Sequence, residues 1–206
     1  MNKRKMLYQI LMDKGWRQSS RRENIFLLPE TGPEICEYYW ADIQGRGGPQ
    51  GSYFSIAGAI GICINPFEKS WLKMLEIYPD QSDVCSYGSF SRQLANYREC
   101  SVGFFESLED SSVNEHFERI VKRLNAFPKT LNELTQQIMT SKIVDEDIWV
   151  YMGRYGWLKY HGLLYWLWRQ DYLSEINPYT HYDRLTDNQK IILQVYVNNV
   201  LEIPQP

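Results

Sequence analysis

Tyr53-Phe-Ser-Ile-Ala-Gly-Ala-Ile-Gly-Ile-Cys-Ile64 decides the fold. Its bulky side chains recur at every second position. Phe54, Ile56, Ile60, Ile62 and Ile64 share one face, joined by Gly58, and Ser55, Ala57, Ala59, Gly61 and Cys63 share the other. A period of two is the mark of a β-strand. One face is bulky and the other small, and a small face lets a helix, a loop or a ligand come close to the sheet.

Upstream, Ile35–Ile43 alternates in the same way. Ile35, Glu37, Tyr39, Ala41 and Ile43 lie on one face, and Cys36, Tyr38, Trp40 and Asp42 on the other. Aromatic rings on both faces predict that both are partly covered. Ile25–Leu28 is a third short apolar run, and Pro29, Gly32 and Pro33 mark the turn after it. That turn spells Leu28-Pro-Glu-Thr-Gly32, the letters of a sortase signal, but no apolar span and basic tail follow it here. Gly45-Arg-Gly-Gly-Pro-Gln-Gly-Ser52 separates the two longest strands. A phosphate-binding loop needs Lys after its last Gly and a helix next, whereas Ser52 follows Gly51 and a strand comes next, so the segment reads as a hairpin loop.

Helices flank these strands. Met6, Leu7, Ile10 and Leu11 form one apolar stripe, and Gly15 ends it. Pro66 ends the last of the three strands, and residues 79–103 read as irregular, with a short helix around Arg92–Tyr97. Ser112-Val-Asn-Glu115 and Thr130-Leu-Asn-Glu133 carry the capping-box pattern that opens a helix, and Thr186-Asp-Asn-Gln189 opens the last helix. Apolar stripes follow each of them, and Trp157–Tyr172 supplies a further, strongly apolar helix. Strands joined by short turns pair antiparallel, and helices segregated after strands make an α+β protein. The expected architecture is an N-terminal helix, a three-to-four-stranded antiparallel meander, and a C-terminal helical half packed on the sheet. A single domain over 1–206 is expected, with helix plus sheet in 1–78, an irregular stretch in 79–111 and mostly helix in 112–206.

Composition narrows the function classes. The 206 residues carry a net charge of −3, with 15% aromatic residues. Mild acidity disfavours a general nucleic-acid binder. No run reaches the roughly 18 apolar residues of a membrane span. Residues 1–14 lack the long apolar region and cleavage site of a signal peptide. Cys36, Cys63, Cys85 and Cys100 are widely spaced with no CxxC, which argues against zinc and for reduced thiols. A cytoplasmic protein without metal or cofactor is expected.

Nothing in the chain spells a catalytic motif. His116, His161 and His181 stand without a second metal ligand at the usual spacing. His161 falls on an aromatic helix stripe, where a core histidine is the simpler assignment. His181 lies with Asp183 in a loop of the residue types that acid–base chemistry uses.

Charge is the more informative pattern. Residues 1–24 hold seven basic and two acidic side chains, a net of +5, so the remainder is acidic. From Glu99 to Glu118 there are six acids (Glu99, Glu106, Glu109, Asp110, Glu115, Glu118) and no Lys or Arg. Asp145-Glu146-Asp147 adds a second cluster beside Trp149 and Tyr151. Acids near helix N-termini are favourable on structural grounds alone. Beside aromatic anchors they also suit docking of a basic protein, since like and unlike charges select partners and Trp and Tyr carry binding energy. The candidate partner-binding residues are therefore Glu106, Glu109, Asp110, Asp145, Glu146, Asp147, Trp149 and Tyr151.

Met6-Leu-Tyr-Gln-Ile-Leu-Met-Asp-Lys-Gly-Trp16, Asn24-Ile-Phe-Leu-Leu28, the strand through Trp40 and Tyr53-Phe-Ser-Ile56 together resemble small, uncharacterised bacterial α+β families. Such families are common among the immunity proteins of polymorphic-toxin and contact-dependent inhibition systems. The resemblance covers about residues 6–64 and carries over no catalytic residue. It implies a non-enzymatic inhibitor that occludes the active site of a cognate toxin. Two alternatives stand beside it. One is a small-ligand-binding protein or enzyme using the small-residue face near Tyr53–Ile64 and the His181 loop. The other is a subunit of a larger complex, with an exposed apolar patch on the Trp157–Tyr172 helix.

Overall fold

The computed structural model describes residues 3–20, 22–28, 32–48, 51–77, 90–93, 104–105, 108, 111–140, 156–174 and 182–202. Helix α1 (Lys3–Asp13) comes first, then strands β1 (Arg17–Gln18), β2 (Ile25–Leu27), β3 (Ile35–Gly48) and β4 (Gly51–Ile64). Short helices α2 (Asn65–Trp71) and α3 (Met74–Ile77) follow, then β5 (Phe90–Gln93) and β6 (Phe104–Phe105). Helices α4 (Ser111–Leu124), α5 (Leu131–Thr140), α6 (Gly156–Arg169) and α7 (Asp187–Val195) complete the order, with a 3₁₀ turn at Tyr182–Arg184 and a π-helical turn at Tyr196–Val200. The fold is α+β. The sheet runs β1-β2-β3-β4-β5, with β6 also pairing with β4. Pairing is antiparallel where the register is defined: Phe26 faces Tyr39, and Ser55 faces Phe104. Only two residues separate β3 from β4, which leaves them no other way to pair.

The chain divides into two compact units. The first comprises 1–32, 36–62 and 92–127, and the second 33–35, 63–91 and 128–206. In the first unit, Leu7, Tyr8 and Leu11 of α1 bury against Phe26, Tyr39 and Ala41 of the sheet and Ile56 and Ile60 of β4. Val113, Phe117, Ile120 and Leu124 of α4 join the same cluster. They recur at the three- and four-residue steps of one helical face. Tyr39 is the hinge pin of this packing, with its ring edge-on to Trp16 at 5.9 Å and to Phe117 at 6.4 Å. Tyr38 and Cys36 on the opposite face of β3 are also buried, so both faces of the strand are covered as its aromatic content predicts.

Helix α1 stops as expected. Gly15 takes φ 88°, its N–H donates to the Met12 carbonyl, and the Trp16 N–H donates to Leu11. This paired closure needs a left-handed residue, which glycine supplies without strain. It also drops the Trp16 ring into the core beside Leu11.

The second unit is built around α2. Asn65 ties its start to the chain before β3, with its N–H donating to Glu34 O at 2.8 Å and its side-chain amide to Pro33 O at 3.0 Å. Phe67 and Trp71 recur one turn apart on α2, and both are fully buried. Phe67 meets Trp166 of α6, and Trp71 meets Tyr196 of the π turn. Arg184 lies over Trp157 at 4.5 Å, near the start of α6, while Arg169 at its end donates to Leu201 O. Those two contacts make α6 and α7 run in the same direction.

Four expectations change. Helix α2 begins at Asn65, so Pro66 opens a helix as well as closing a strand; proline is tolerated in a first turn, where its missing N–H has no partner to lose. The glycine-rich stretch is largely strand, because β3 runs to Gly48 and β4 starts at Gly51. A strand occupies Phe90–Gln93, where a helix from Arg92 was expected. Helix α4 starts at Ser111, so Ser112 lies in the first turn and not at the cap.

Candidate functional site

Helix α4 carries the described end of the acidic run. Its apolar stripe is consumed by the core, which turns Glu115 and Glu118 outward. Glu115 is 66% exposed, and its nearest described cation is Arg119 at 3.8 Å, one turn on. An exposed pair of that length holds its charges weakly, so the carboxylates stay open to solvent. One helix thus presents carboxylates on one side and core side chains on the other.

The buried ionisable groups serve a different purpose. Lys159 of α6 places Nζ 2.8 Å from both Glu68 carboxylate oxygens, and both side chains are 2% exposed. Alongside, Ser70 and Tyr196 hydroxyls share a hydrogen bond of 3.0 Å. Burial pushes the Tyr196 phenol upward, against the opposing effect of its bond to Ser70. It stays neutral at any ordinary pH. His116 of α4 is fully buried, and burial, helped by nearby Arg119, pulls its ring down to about 4. At neutral pH it is therefore an uncharged core side chain. His161 of α6 is likewise buried, between the ring edges of Tyr160 and Tyr182 at 5.9 and 6.0 Å, which is the core role its helix stripe suggests.

Among the described residues, no group of three or more His, Cys, Asp or Glu is placed to hold a metal ion. None of the described helices is long and apolar enough to cross a membrane.

The predicted partner-binding residues Glu106, Glu109, Asp110, Asp145, Glu146, Asp147, Trp149 and Tyr151 lie outside the described residues, as does His181. Asp183 is exposed at the 3₁₀ turn. On the small-residue face of β4, Ser55, Gly61 and Cys63 are buried. Helix α6, which overlaps the expected Trp157–Tyr172 segment, is mostly buried, and Trp168 is the large apolar side chain it leaves exposed. The Glu68–Lys159 pair escapes sequence reading entirely. Its members are 91 residues apart, and no local spacing links them.

No family model, curated protein or solved structure matches the chain.

Proposed function

We propose that the chain is a non-enzymatic binding protein of the bacterial immunity type, which neutralises a cognate toxin by covering its active site. The observation that carries the proposal is the acid run Glu99–Glu118. It contains no cation, and its described members Glu115 and Glu118 face solvent from a helix anchored in the core by its other side. A fixed helix holds carboxylates at constant positions, which is what steering of a basic partner requires. Asp145, Glu146 and Asp147 form a second acidic cluster in the sequence, followed by Trp149 and Tyr151, the anchor types that hold a docked protein.

The partner is a basic toxin domain, and the compartment is the cytoplasm, where the toxin would act. Cys36 and Cys63, the described cysteines, are buried and form no disulfide, which suits a reducing compartment. The likeness of residues 6–64 to immunity-protein families points the same way.

An affinity pull-down of the tagged full chain from its native host, at low and then moderate salt, tests the proposal. The expected result is a single stoichiometric basic protein, identified by mass spectrometry and retained less well as salt rises. Recovery of no protein at either salt would overturn it.

A further inference from the structure

We draw no further inference here: the strongest candidate, the apolar side chains Met139, Trp168 and Ile191 that α5, α6 and α7 of the second unit leave on its surface, carries nothing because nothing in the structure shows what covers them.

Discussion

Lys159 Nζ lies 2.8 Å from each carboxylate oxygen of Glu68, and the two side chains are almost wholly withdrawn from water. Each charge offsets part of the other's desolvation cost. Removing one partner leaves the other charge buried without its ion pair, and breaking a buried pair this way costs about 3–5 kcal/mol. Glu68→Leu or Lys159→Met should therefore lower unfolding stability by that order. The double variant Glu68→Leu/Lys159→Met removes both charges together and should recover most of the loss, or exceed the parent. Urea titration of the four proteins reads this as a double-mutant cycle. Single variants within 1 kcal/mol of the parent would show that water reaches the pair.

Gly162 of α6 sits against the face of Trp71. A Cβ at this position would lie 2.3 Å from Trp71 Cζ3 and 2.9 Å from Cε3. Alanine is the better helix former by about 1 kcal/mol, so on an open surface Gly162→Ala would stabilise. Here the ring is fully buried between Phe67 and Tyr196 and has no free direction in which to move. Overpacking of this kind costs about 1–3 kcal/mol or more, which outweighs the propensity gain. Thermal unfolding of Gly162→Ala should show a lowered midpoint, and adding Trp71→Phe should give part of it back. A raised midpoint in the single variant would mean that the ring and helix separate readily.

What the sequence makes legible follows the range of each interaction. Caps are local, and those of α5 and α7 stand where the residues imply, while Ser112 falls inside α4. Thr130 Oγ1 accepts the Glu133 N–H at 3.2 Å, and Thr186 and Gln189 close a full reciprocal box on α7. Gly15 and the two covered faces of β3 are readable for the same reason. Helix α2 is hidden because Pro66 signals a break, while its seven residues are too few to show a stripe beyond Phe67 and Trp71. The place of α4 in the sheet unit depends on Phe117 meeting Tyr39 across 78 positions, which periodicity within the helix does not encode. Of the candidate site, charge and residue type are readable from the chain, and the outward aspect of Glu115 and Glu118 follows from the apolar stripe beside them.

His116 gives the fold a definite pH response. Its folded value of about 4 lies below the 6.5 of an exposed histidine, with burial as the main cause. The unfolded chain therefore takes up the proton more readily than the folded one. The stability held by the neutral ring is complete above pH 6.5 and falls away as pH drops from 6.5 toward 4. A displacement of that size amounts to roughly 3 kcal/mol across the window. Stability measured by urea between pH 7 and 4 should decline more steeply in the parent than in His116→Leu, which removes the titrating ring and keeps the site apolar. Parallel curves for the two proteins would show that His116 does not take part.

The acidic cluster beside Trp149 and Tyr151 makes a kinetic prediction that separates steering from simple contact. If Asp145, Glu146 and Asp147 act through their field, reversing all three to Lys should slow association with the captured partner about tenfold or more at low salt. Dissociation should change much less, because long-range charge acts mainly on encounter. At 1 M salt the screening length shrinks to about 3 Å, and the on-rates of parent and variant should converge. Trp149→Ala should show the opposite pattern, with a nearly unchanged on-rate and a dissociation rate raised by the loss of about 2 kcal/mol of anchoring, roughly thirtyfold. Stopped-flow association at several salt concentrations, with dissociation followed by competition, measures both rates for each of the three proteins. An unchanged on-rate in the charge-reversed variant would remove these three acids from the docking surface and leave the Glu99–Glu118 run to account for it.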